Sequence, residues 1–193
     1  MMWPLQKGEQ IMLTPNLEMA QRYLTMLDPE GIFTFQTFDD KSTTVRNKPI
    51  VRHGTLVQHQ DELVRLNKAG AGVFVMVNRG DGVVRDGASS CRTNANVIAV
   101  RAHFADADGT TLESILEKSP PPHILVESSP DKWHLYWLIK DVKLEDFKAN
   151  QKAIAQALDT DPSVNDLARV LRLPGFWHQK DEPFLVRLVD NLH

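Results

Sequence analysis

Cysteine is nearly absent: Cys91 is the only one in 193 residues. A lone thiol forms no internal disulfide and builds no zinc cluster, which excludes a disulfide scaffold and a structural zinc domain. It fits a reducing cytoplasm, the compartment expected for this chain. No apolar run approaches the roughly 20 residues of a membrane span, and the N-terminus carries no signal-peptide pattern, so no membrane partner is expected. Positive charge is not in excess, with 22 Lys and Arg against 25 Asp and Glu and a net charge of −3. Any nucleic-acid contact must therefore come from a local basic patch rather than a global field. Tyrosine is scarce, Tyr23 and Tyr136 only, and no His-x-His pair occurs. Both absences count against a strand-nicking initiator, which needs a metal-binding His cluster and a nucleophilic Tyr. Repeats and low-complexity segments are missing.

What is present reads as a soluble globular chain, 42% hydrophobic and 24% charged, long enough for one large domain or two small ones. Residues 16–27 repeat apolar positions at helical spacing, with Thr14 or Asn16 as cap. Ile32–Phe38 alternates as a strand, Asp39–His53 is polar and reads as a loop, and Gln60–Ala69 is an amphipathic helix stopped by Gly70 and Gly72. Gly72–Asn78 reads as a buried strand. The following 79–96, rich in Gly, Asp, Ser, Arg and Asn, is a long loop, a length often tied to function. The second half runs strand Val97–Phe104, helix Thr111–Lys118, strand His123–Glu127, turn Ser128–Asp131, strand Lys132–Lys140, helix Leu144–Leu158, then strands Val170–Leu173 and Phe184–Val189. That order predicts an α/β (α+β) chain with a split βαβ, ferredoxin-like second half. A boundary near 79–96 would give two subdomains, about 1–95 and 96–193, within one catalytic module.

The chemistry starts at Phe104-Ala105-Asp106-Ala107-Asp108-Gly109. Alternate strand residues share a face, so Asp106 and Asp108 project together with Cα atoms about 6.6 Å apart. Two carboxylates so placed are costly unless a cation sits between them or one acid is protonated, and the spacing suits one or two hard divalent cations. The strand Lys132-Trp133-His134-Leu135-Tyr136-Trp137 is expected beside a central acid strand, with Lys132, His134 and Tyr136 on one face and the apolar residues on the other, against helices. An ammonium and an imidazole beside two acids suit a triphosphate whose other oxygens ride on metals. Asp161 through Gly175 adds further acids and two arginines. Two-metal phosphoryl transfer needs those parts, with the nucleophile supplied by a nucleotide 3′-hydroxyl.

In order, these three segments resemble the motifs of the archaeo-eukaryotic primase superfamily, nearest to the RepB-type primase domains of plasmids and phages, over about residues 50–190. The resemblance implies an N-terminal α/β subdomain packed on an RRM-like subdomain that carries the active site. It implies Asp106, Asp108 and Asp161 as catalytic metal ligands for Mg²⁺ or Mn²⁺. It also implies His134 as the nucleotide-phosphate ligand. Ser129, Lys132, Arg169, Arg172 and Lys180 join His134 as nucleotide-binding candidates, with Arg172 equally able to pair with a carboxylate. His178 beside Lys180 is either exposed or nucleotide-contacting. Arg79, Arg85 and Arg92 of the long loop are the candidates for template phosphates. Asp161 is preferred to Asp166 because it lies eight residues before Arg169 and eleven before Arg172, as in the family pattern. Many members carry Ser where this chain has Lys132, which leaves the role of that lysine open.

The implied activity is template-directed primer synthesis on single-stranded DNA from nucleoside triphosphates, in replication of a plasmid, phage or mobile element. A helicase or a following helical domain is the expected partner, with this chain as the catalytic piece. The alternatives are a catalytically silent module that binds nucleic acid and nucleotide, and the nicking initiator.

Overall fold

The computed structural model describes residues 13–41 and 48–190. Helix α1, Leu17–Leu27, buries Ala20, Tyr23, Leu24 and Leu27, and Asn16 caps it by accepting the Met19 N–H. Strand β1, Phe33–Asp39, pairs with β2, Val51–Gly54, so the end of the expected 39–53 loop is a strand. Residues 42–47 of that loop lie outside the described residues. Helix α2 spans Leu56–Lys68 and starts four residues before the apolar period suggests. The reason is a capping box in which Thr55 and Gln58 satisfy each other's backbone N–H groups.

Strand β3, Ala71–Met76, joins β1 on one side and β9, Val170–Arg172, on the other. The first sheet is therefore ordered β2-β1-β3-β9 and is antiparallel. The expected long loop holds β4, Arg79–Gly80, which pairs with β5, Val97–Ala99. Strand β6, Ala102–Ala107, follows after a break at Val100 and Arg101. At this break the Arg101 N–H goes to the Asn78 side chain, and its guanidinium is buried against Asp28, the Ile32 carbonyl and the Phe33 ring. The Arg101 N–H is diverted to a side chain while its carbonyl still accepts the Ile139 N–H, and the expected single strand Val97–Phe104 divides there.

The second sheet takes β6, β7 (Ile124–Ser129), β8 (Lys132–Leu138) and β12 (Arg187–Leu188) in the order β12-β7-β8-β6, with α3 (Leu112–Lys118) and α4 (Leu144–Leu158) completing it. The βαββα run is the expected one. Two placements differ from expectation. The acid strand β6 is an edge strand rather than central, and the closing strand lies beside β7 rather than beside β6. Gln151 of α4 covers the β6 edge, its side chain meeting both the N–H and the carbonyl of Phe104. The expected strand Phe184–Val189 splits, with β11 (Phe184–Leu185) pairing to β10 (Trp177–His178) and β12 joining the second sheet.

One face of the second sheet, with Leu125, Leu135, Ala105 and Ala107, packs beneath α3 and α4. The other carries Phe104, Tyr136 and Val126 into a core shared with Phe35, Val75, Leu171 and Tyr23. That shared core positions the site. Asp106 and His134 sit on the same face, two residues beyond Phe104 and Tyr136, where the core ends.

Candidate active site

The two sheets diverge beyond that core and leave an open cleft of about 990 Å³. On the second-sheet wall, Asp106 lies directly across from His134 in the β6–β8 register. His134 Nε2 is 3.6 Å from Asp106 Oδ1. The His134 ring is buried and its Nδ1 has no partner. Burial pushes its pKa down, Asp106 opposes the shift, and Arg172 and His178 add to it. Asp108 is 65% exposed and meets Lys132 Nζ at 2.8 Å, and that bond raises the lysine's pKa. Between β7 and β8 the chain turns through Pro130 and Asp131, whose φ of 61° is left-handed. The turn brings Ser128 and Ser129 to the cleft rim.

His178 enters from β10 and also lines the cleft. Its Nδ1 donates to the Ser128 carbonyl at 3.0 Å, since a carbonyl can only accept. The neutral ring therefore presents a bare Nε2, which is buried without a partner. Two imidazoles, His134 buried and His178 half-buried, thus each bring an unused ring nitrogen to one cleft. Lys180 lines it as well.

The structure separates the two candidates for the third acid. Asp161 is not in the cleft lining, and its carboxylate accepts the N–H and hydroxyl of Ser163 in a local turn. Those bonds hold its pKa down. Asp166 does line the cleft and pairs with Arg169 at 2.6 Å. The 159–169 segment doubles back through short turns, and Asp166 rather than Asp161 joins the lining.

Arg172 lines the cleft, and of the two roles open to it the structure shows the carboxylate pair. Its guanidinium makes a bidentate pair with Asp40, at 2.9 and 2.8 Å, and lies 4.6 Å from the Phe74 ring centroid. Asp40 also accepts the Gln179 N–H, so both partners are satisfied and buried. Gly72 makes room: a Cβ there would meet Arg172 at 2.6 Å and Asp40 at 2.8 Å. The rest of the Arg-Leu-Pro-Gly run is scaffold too. Gly175, at φ 85°, accepts the Asn16 N–H at the start of α1, where a Cβ would collide with the Asn16 carbonyl.

The loop arginines divide. Arg79 is tied to Glu30 and Asp28, and Arg85 to Asp81, while only Arg92 of the three lines the cleft. Tyr23 and Tyr136 are fully buried and packed edge to face, with burial raising both pKa values. Neither can serve as a nucleophile toward DNA, which removes the nicking reading. Sequence reasoning did not single out Phe38, an exposed ring in the cleft. Its signal was parity: Phe33 and Phe35 face the core, whereas Phe38 falls with Thr34 and Gln36 on the opposite face.

Among the described residues no three His, Cys, Asp or Glu side chains converge to cage a metal. Asp106 and Asp108 nevertheless supply two hard oxygen donors. That set fits Mg²⁺ or Mn²⁺, ions commonly held by one or two carboxylates with water and substrate phosphates completing the shell.

A family model described as the RepB DNA-primase N-terminal domain matches residues 91–191, just over half of the chain. Among solved structures, the AEP domain of the cyanophage S-2L primase-polymerase superposes with a TM-score of 0.70 at 18% identity, covering 92% of this chain and 91% of that one. The primase RepB′ gives a TM-score of 0.62 at 19% identity over 90% of this chain, which spans 56% of that protein's length. The catalytic domain of RepB′ in complex with initiator DNA gives 0.61 at 20%, covering 89% and 82%. At these identities the structures show the shared fold. Comparison with curated proteins returns no match.

Proposed function

The chain belongs to the RepB DNA-primase N-terminal domain family, within the archaeo-eukaryotic primases, and from that premise we propose that this cleft joins nucleotides on a single-stranded DNA template. The observation that carries the reading is the convergence of Asp106, Asp108, Lys132 and His134 on one cleft wall, with His134 holding a buried, unpartnered ring nitrogen.

Asp106 and Asp108 would hold Mg²⁺ or Mn²⁺, which when bound neutralises phosphate charge and acidifies a 3′-hydroxyl. His134 and Lys132 orient the incoming triphosphate, with His178, Ser129 and Lys180 within the same lining. Lys132 is bonded to Asp108 until phosphate oxygens compete for it, so one ammonium serves both the empty and the loaded site. Burial favours the neutral form of His134, in which one ring nitrogen carries the proton that can be donated to a phosphate oxygen. Asp166 replaces Asp161 as the third acid, facing the substrate with Arg169 beside it. The low-dielectric core beneath the acids strengthens each of these contacts. The setting is replication of a plasmid, phage or other mobile element, with a helicase or helical domain as partner.

Labelled-nucleotide incorporation on single-stranded DNA with Mn²⁺ tests this. The expected result is short products that vanish with chelator. Tight binding of template and nucleotide with no product, across ribo- and deoxynucleotides, would instead establish a silent binding module.

A further inference from the structure

The opposite wall of the cleft has different chemistry, and resting on the reading above it identifies where the template lies. Phe38 at the end of β1 is 37% exposed, the one exposed Phe, Tyr or Trp ring among the described residues. It is not a stray surface ring. Phe74 of β3 meets it edge to face with centroids 5.2 Å apart, and Arg92 reaches to 6.0 Å from its centroid. Phe74 is in turn backed by Arg172, itself fixed by Asp40. Phe38 is thus a rigidly supported aromatic surface open to the cleft. Arg92 is anchored by one bond to the Ala168 carbonyl and has no ion pair with a described carboxylate.

We propose that Phe38 stacks an unpaired base of the template strand, with Arg92 on the adjoining phosphate. Aromatic stacking serves every base, because each has a π face, and so suits a template of any sequence. The phosphate-binding groups of the incoming nucleotide sit on the other wall, so a base on Phe38 that brings its own cation belongs to a strand with repeated phosphates. The arrangement separates the two substrates, nucleotide on the second sheet and template on the first.

The test measures affinity for a short fluorescent single-stranded oligonucleotide, without nucleoside triphosphate or metal. Phe38→Ala should weaken binding about tenfold and Phe38→Trp should preserve it. Phe38→Leu keeps apolar volume without a π face and should behave like Phe38→Ala, which guards against a folding artefact. A 2-aminopurine base in the oligonucleotide should be quenched by the wild type and by Phe38→Trp, but not by Phe38→Leu. Arg92→Ala should lower both the affinity and its salt dependence. Unchanged affinity and quenching in Phe38→Leu would overturn the proposal. So would a wild type that binds no single strand, or a Phe38→Leu defect confined to free nucleotide. If Phe38-dependent binding is found but no primer is made, the stacking stands and the catalytic reading fails.

Discussion

Two ion pairs face the same cleft and do opposite work. Asp40–Arg172 is bidentate, nearly sealed from solvent and stacked on Phe74, with a further N–H bond from Gln179. Asp108–Lys132 sets one ammonium against both carboxylate oxygens, at 2.8 and 3.0 Å, between side chains 65% and 47% exposed. A sealed, fully satisfied pair cannot be given up without leaving a buried charge behind. An exposed pair is worth little to the fold and exchanges easily for a phosphate or a cation. The first pair therefore builds the cleft, and the second is available to the substrate. Charge count alone does not separate them; burial and satisfaction do.

Breaking the structural pair should have the largest effect. Arg172→Ala should cost about 3–5 kcal/mol of unfolding free energy, because Asp40 is left buried and unpaired. Gly72→Ala should also destabilise, since its methyl group would enter that pair. Chemical denaturation checks both, and a loss under about 1 kcal/mol would place Arg172 with the exposed cations. On the working wall, His134→Ala should lower incorporation about a hundredfold while the protein stays folded. Lys132→Ala should leave stability within about 1 kcal/mol and raise the KM for nucleotide more than it lowers kcat. Equal losses of stability in Lys132→Ala and Arg172→Ala would erase the contrast.

Acid sharpens the comparison further. His53, His103, His134 and His178 all have pKa values pushed down, by burial first. The unfolded chain then binds more protons than the native one just below the ordinary imidazole value, so stability falls as pH drops from about 6.5. The depressed carboxylates Asp28, Asp81 and Asp161 act only at lower pH, near and below the usual carboxylate range. Unfolding measured at pH 7.5 and 5.5 should show a loss, and His103→Gln, away from the cleft, should reduce it. The smallest effect belongs to Arg79→Ala and Arg85→Ala, whose side chains are held by Glu30 and Asp81. Each should leave single-strand binding within about twofold, while Arg92→Ala does not.

Much of this was readable in the sequence where one element carries the signal. Asp106 and Asp108 share a face because strands alternate, and by the same alternation Lys132 and His134 share a face of β8, where His134 pairs across from Asp106. Helix α1 followed from spacing and its Asn16 cap. What the sequence left open depended on partners distant in sequence. Arg172 can serve a phosphate or a carboxylate equally well by sequence, and Asp40, 132 residues away, is what the fold sets against it. Asp161 and Asp166 are indistinguishable by composition, and only the turn after α4 decides which reaches the cleft. The edge position of β6 and the crossing of β9 into the first sheet are pairing choices that periodicity does not encode.

The most direct test of the working wall is metal-dependent primer synthesis by Asp106→Ala/Asp108→Ala beside the wild type. The variant should keep the wild-type melting profile and single-strand affinity and make no primer above background. Full primer synthesis by that variant would contradict the assignment of this cleft wall as the catalytic centre.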